Sequence, residues 1–161
     1  MLRRIGVVLL GLLATLALAA CGLTVPSDPE GTLDRVRDDG VLRVGATHAP
    51  PWVVTSDGDE PTGDEPALVE EFAARQGAVV EWRIGGEESL VAALERGELD
   101  LVIGGFTDAT PWTDRAATTV PYTEAPGPDG APQKHVMLAR MGENRFLVEL
   151  EEFLLESGEA P

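Results

Sequence analysis

The chain has 161 residues, 43% of them hydrophobic, and a formal net charge of −16. That length suits one domain with a short appendage. So acidic a chain repels phosphate backbones and anionic headgroups, which argues against nucleic-acid binding and against polybasic attachment to a membrane surface.

Residues 1–21 read as a targeting segment. Arg3 and Arg4 form a charged start, Ile5 to Ala20 is an uncharged apolar run, and the run ends Leu18-Ala19-Ala20-Cys21. A secretory signal has this layout. Small residues before a lone cysteine resemble the lipobox of bacterial lipoproteins, which implies cleavage before Cys21 and lipid on it. A transmembrane anchor, or cleavage elsewhere, is the competing reading. Lipid on Cys21 would give stable anchoring, since each buried methylene contributes about 0.8 kcal/mol. Cys21 is the only cysteine, so no disulfide forms within the chain. Loss of Arg3 and Arg4 on cleavage would take the net charge to about −18. Residues 22–31, GLTVPSDPEG, read as a flexible tether.

The folded part follows in order. Thr32 to Asp39 reads as a short helix that Thr32 can cap and Gly40 ends. Val41 to Ala46 alternates as a first strand, followed by the loop His48-Ala49-Pro50-Pro51-Trp52. Val53-Val54 suggests a short strand, and residues 56–63 an acidic turn. Pro66 to Gln76 reads as a helix with Leu68 and Phe72 on its inner face, Val79 to Ile84 as a second strand, and Glu87 to Arg96 as a helix with Leu90, Val91 and Leu94 inward. Leu101 to Ile103 is a third strand. The order βαβαβ with short connections implies a mostly parallel sheet. No Gly-x-Gly-x-x-Gly follows the first strand, so no dinucleotide site and no cofactor is expected. Thr123 to Gln133 reads as a Pro/Gly-rich linker, Lys134 to Arg140 as a last strand, and Gly142 to Glu156 as an amphipathic helix carrying Phe146, Leu150, Phe153 and Leu154.

The densest candidate for function is Asp100 to Tyr122, DLVIGGFTDATPWTDRAATTVPY. A buried strand runs into Gly104-Gly105 and breaks into a polar loop. In open α/β sheets ligands sit beyond the carboxyl ends of strands. The Gly105 backbone could approach a ligand closely, Thr107 and Thr110 offer hydroxyls, and Arg115 could clamp a carboxylate in a planar fork. Trp52 could stack on the same ligand or simply pack in the core. A solvated surface loop is the bland alternative. Neither histidine, His48 or His135, sits in a catalytic motif, and neither Gly-x-Ser-x-Gly nor His-Glu-x-x-His occurs. No enzyme activity and no metal site is expected.

Four segments in this order resemble the first lobe of the bacterial extracellular solute-binding proteins of family 3, the polar amino-acid type with the type II periplasmic-binding-protein fold. They are TLDRVRDDGVLRVGATHAPPW, ALVEEFAARQGAVVEW, SLVAALERGELDLVIGGFT and TDRAATTVPY. The resemblance implies a single Rossmann-like α/β lobe of about five strands, spanning 32–161 and closed by a C-terminal strand and helix. It implies an extracytoplasmic protein that recognises a small polar solute such as an amino acid beside a membrane transporter. The ligand residues it implies are Trp52, Gly105, Thr107, Thr110 and Arg115. The family's second lobe would leave after Pro121-Tyr122, where residues 123–133 stand instead, and HVMLARMGENRFLVELEEFL resembles the return to the first lobe. The run from Thr107 to Arg115 is longer than the family's. A one-walled cleft suggests weak ligand binding, or docking on a transporter, a sensor or a second copy through Trp52, Phe106 and Trp112.

Overall fold

The computed structural model describes residues 27–56 and 58–158. The targeting segment, Cys21 and the first part of the tether lie outside the described residues. Among the described residues no helix is long and apolar enough to cross a membrane.

The elements are α1 (Thr32–Asp39), β1 (Val41–Ala46), α2 (Asp64–Arg75), β2 (Val79–Ile84), α3 (Glu87–Glu95), β3 (Leu101–Ile103), β4 (Ala117–Thr118), β5 (Thr123–Pro126), β6 (Pro132–His135), β7 (Leu138–Ala139) and α4 (Asn144–Ser157). Five strands form one sheet in the order β2-β1-β3-β7-β4. β1 runs parallel to β2 and to β3, while β7 pairs antiparallel with β3 and with β4. The crossover helices α2 and α3 create the parallel half. The returning chain supplies the antiparallel half.

Strand alternation divides the core between the two faces of the sheet. Leu42, Val44, Leu101 and Ile103 join Phe72, Phe146 and Leu150 of the helices α2 and α4. Val102 and Leu138 face the other way and join Leu90, Val91 and Leu94 of α3. β1 can lie tight against α3 because of Gly45, where a Cβ would fall 3.0 Å from a Leu90 methyl.

Three expectations change. Thr32 does not cap α1. It is the first helical residue and is buried, and the free amides at this end go to carboxylates from elsewhere. Glu143 accepts from the Thr32 and Glu30 N–H groups (2.9 and 3.0 Å). Asp28 accepts from Leu33 with one oxygen and from Phe146 of α4 with the other (3.0 and 2.9 Å). Two acids thus fasten the starts of α1 and α4 together, in the position that favours negative charge. Residues 123–133 are not an open linker: β5 and β6 pair antiparallel from Thr123–His135 to Pro126–Pro132, and Gly127 N–H closes the turn onto Ala131 O at 2.7 Å. The single strand expected over Lys134 to Arg140 is split into β6 and β7, because His135 belongs to the hairpin and Leu138 to the main sheet.

Asp100 anchors the lower end of β3. It is 1% exposed and accepts from the Arg43 backbone N–H (3.0 Å) and from the Arg43 guanidinium (2.7 and 3.2 Å), and it pairs with Arg35 of α1. The side chain joins α1, β1 and β3 through one charge. Asp100→Asn leaves both half-exposed arginines without their common anion and should cost about 3 kcal/mol. Urea unfolding checks this as a lower midpoint with unchanged slope.

Candidate functional site

β1 and β3 are in register from Val44–Leu101 to Ala46–Ile103, so the loops after them leave the sheet side by side. Thr47 N–H donates to Ile103 O at 3.1 Å and keeps them together. The first loop folds back on itself through paired Ala49 and Val53, and the Pro50–Pro51 peptide within it is cis. This places Trp52 over the start of the second loop. There, a Cβ on Gly104 would strike the Thr47 methyl group. Gly105 has φ +64°, and a Cβ on it would lie 2.7 Å from Trp52 Cδ1. Glycine at both positions lets the backbone and the indole meet.

Beneath these loops lies Glu65, in the first turn of α2 and fully buried. One carboxylate oxygen accepts from Gly104 N–H (2.8 Å) and Gly105 N–H (3.0 Å), and the other accepts from the Tyr122 hydroxyl (2.6 Å) and, more weakly, from Gly105 (3.2 Å). Glu65 N–H donates in turn to Trp52 O at 3.2 Å. One side chain therefore ties together both strand-end loops and the entry to the hairpin. Burial pushes its carboxyl above the ordinary value of 4.5; the Tyr122, Gly105 and Gly104 bonds oppose this, and the charge of Asp64 adds to it. Tyr122 is also pushed up, by burial first and then by the Glu65 charge.

Of the residues expected at the site, Trp52, Gly105 and Thr107 come together. Trp52 is half-buried, packs against the larger core cluster and stacks on His135, with ring centroids 4.0 Å apart. The core packing expected of Trp52 is present, and part of its ring stays accessible. Thr107 pairs with His135 across an isolated bridge. Thr110 is buried, and its Oγ1 has no hydrogen-bond partner among the described residues. Gly105 offers less than expected, because its N–H is taken by Glu65.

Arg115 stands apart from this group. Its guanidinium reaches Glu95 (2.6 and 3.0 Å) and Glu88 (2.8 Å) of α3 and lies 5.5 Å from the Trp112 ring. Those two carboxylates, Glu95 foremost, raise its pKa and neutralise it. The run between Thr107 and Arg115 brings the arginine to Glu88 and Glu95 of α3. Phe106 is 6% exposed, inside the α3-side core, and Trp112 donates its Nε1–H to Glu87 at 3.1 Å. The exposed aromatic patch expected of Trp52, Phe106 and Trp112 is therefore absent. His48 is engaged locally, with Nδ1 accepting from Thr55 N–H at 3.1 Å.

Three residues with evident work were missed. From the sequence, the helix opens at Pro66 and Glu65 has no role, Tyr122 marks only the point where a second lobe would leave, and His135 lies in the last strand without its contact to Trp52. His135 is 4% exposed, its Nδ1 lacks a partner among the described residues, and burial pushes its imidazole below the ordinary value while the Gly105 and Phe106 backbones oppose. Spacing could not have revealed the contacts of Glu65, because Gly104 and Tyr122 lie 39 and 57 positions from it.

Beside Trp52 a cavity of about 520 Å³ opens between α2, β5 and the end of α4. Asp64, Leu68, Tyr122, Glu124 and Ser157 border it.

Glu65 and Glu98 should respond to pH in opposite senses. A carboxyl whose folded value lies above its unfolded one binds its proton more tightly when folded. The stability Glu65 contributes is therefore greatest below 4.5 and is lost as pH rises through its raised value. Glu98, held near 2 by Arg96 and Arg83, contributes stability above 4.5 that is lost as pH falls toward 2. Carboxyl carbon NMR shifts should show Glu65 titrating above 4.5 and Glu98 far below it.

Comparison with known families matches residues 42–152 to the bacterial extracellular solute-binding proteins, family 3. Membrane-bound lytic murein transglycosylase F of Vibrio cholerae serotype O1 is 35% identical over 99 residues, which is 60% of this chain but only 18% of the transglycosylase. Among solved structures, the arginine-bound form of domain 1 from TmArgBP superposes with a TM-score of 0.67 at 23% identity, covering 76% of this chain and 98% of that one. The ancestral cationic amino acid solute-binding protein AncCDT-1 gives a TM-score of 0.66 at 15% identity, covering 78% and 93%. The family match spans more than half of the sequence, and the sheet and helices are those of one lobe, so this chain belongs to the bacterial extracellular solute-binding proteins of family 3 and presents a single lobe of their fold.

Proposed function

We propose that the protein is a lipid-anchored, extracytoplasmic solute-binding lobe, held to the membrane through Cys21, that recognises a small polar solute of the amino-acid type beside a membrane transporter. The observation that carries this reading is the convergence of Trp52, Gly105 and Thr107 where β1 and β3 end, with the unpartnered Thr110 hydroxyl on the same loop. An indole face with nearby hydroxyls and peptide groups suits a polar solute with an apolar or cationic part. Domain 1 of TmArgBP is described in an arginine-bound form, which supports binding by one lobe without a second wall. The net charge of −16 favours a cationic solute over an anionic one.

Arg115 has no part in this reading, and the solute's carboxylate falls to Thr107 and Thr110. In calorimetric titration of the full chain in neutral detergent, a cationic amino acid should give saturable heat. Thr107→Val with Thr110→Val should weaken it at least fivefold, while Arg115→Ala should change it less than twofold. Heat from no amino acid would move the weight to a second reading, in which the lobe docks on another protein or on a second copy of itself. That reading is favoured by the 35% identity to a segment that is 18% of a larger cell-wall enzyme.

A further inference from the structure

We propose that the cavity between α2, β5 and the end of α4 is a second binding site, selective for a small organic cation that carries no carboxylate, of the diamine or guanidino-amine type. Its volume, about 520 Å³, lies within the range of small-molecule sites. The lining combines what such a cation needs. Leu68 and Leu154 give an apolar wall for a methylene chain, and Trp52 and Tyr122 give aromatic surface for a charged end. Both rings are held in place, Trp52 against His135 and Tyr122 by its bond to Glu65, so the site is preorganised.

The charges point the same way. Some acids of the chain are matched: Glu88 and Glu95 hold Arg115, Glu98 holds Arg83 and Arg96, and Glu156 and Glu71 hold Arg75. Asp64 and Glu124, which border the cavity, are in no ion pair among the described residues. Among the described residues no lysine or arginine lines the cavity. Ser157 also borders the cavity, at the end of α4. An ammonium or guanidinium group would give the two carboxylates a counter-ion. A free carboxylate on the ligand would face two acids and, among the described residues, no basic side chain, so a zwitterionic amino acid is disfavoured here. That preference sets this cavity apart from the amino-acid site proposed at the strand ends, with which it shares only Trp52.

The test is amide NMR of the full chain in neutral detergent, titrated with agmatine and, separately, with arginine. Agmatine should shift the Thr123, Glu124 and Ser157 amides and the Trp52 indole N–H, with a Kd at least tenfold below that of arginine for the same shifts. The pair Asp64→Asn and Glu124→Gln should raise the agmatine Kd at least tenfold. Ser157→Leu, which fills the cavity without touching a charge, should abolish the shifts while the thermal midpoint holds. Thr107→Val with Thr110→Val should leave the agmatine Kd unchanged. Absence of agmatine shifts, equal affinity for arginine, or indifference to the Asp64 and Glu124 pair would each overturn the proposal. Amino-acid binding at the strand ends without agmatine binding would sink this inference alone, and agmatine binding without amino-acid binding would sink the other.

Discussion

The buried carboxylate of Glu65 is the constraint on which the functional end of the lobe depends. A charge at full burial is expensive unless it is hydrogen-bonded, and here the Gly104 and Gly105 amides and the Tyr122 hydroxyl all donate to it. Those donors come from a strand end and from the chain entering the hairpin, and Glu65 itself opens α2. Removing any donor would leave the carboxylate under-satisfied, so the three segments hold their positions jointly. The arrangement also fills with the protein's own anion the amides that a ligand's carboxylate would otherwise use.

The second feature that shapes the molecule is how it manages without another lobe. β5 and β6 leave and re-enter the lobe as a paired hairpin, so the main sheet sees the same two chain crossings whatever lies beyond them. An isolated hairpin is marginal in water. This one is fastened at its base, where Tyr122 N–H donates to His135 O at 3.1 Å and the Tyr122 hydroxyl reaches Glu65. The acidic surface is organised by the same economy. Arg115 acts as a clamp between α3 and the Trp112 loop.

Much of the fold was legible because it rests on local pattern. The alternation of VLRVGA, the apolar run LVI and the helical spacing of Phe146, Leu150, Phe153 and Leu154 each report one face of one element, and each element formed where its pattern lies. The hairpin was not legible, since a segment rich in proline and glycine reads as a linker. Pro126 and Pro132 are opposed at the hairpin tip, where they interrupt little pairing. The capping of α1 was hidden for another reason: its acceptors, Asp28 and Glu143, come from opposite ends of the chain. At the site, Trp52, Gly105 and Thr107 could be placed from strand ends and glycines alone. Arg115 could not, because the acids that draw it away sit on a different element and only the folded geometry sets them against it.

The short turn at Gly127–Ala131 has a consequence for what the scaffold tolerates. Its two flanks are hydrogen-bonded neighbours at the exposed tip, remote in sequence from the core residues on either face of the sheet. A folded unit whose own termini lie close together could be grafted between Gly127 and Ala131 with no strand shifted in register. The lobe is therefore a socket with a closed cap, and the cap itself is the natural place to fuse a reporter.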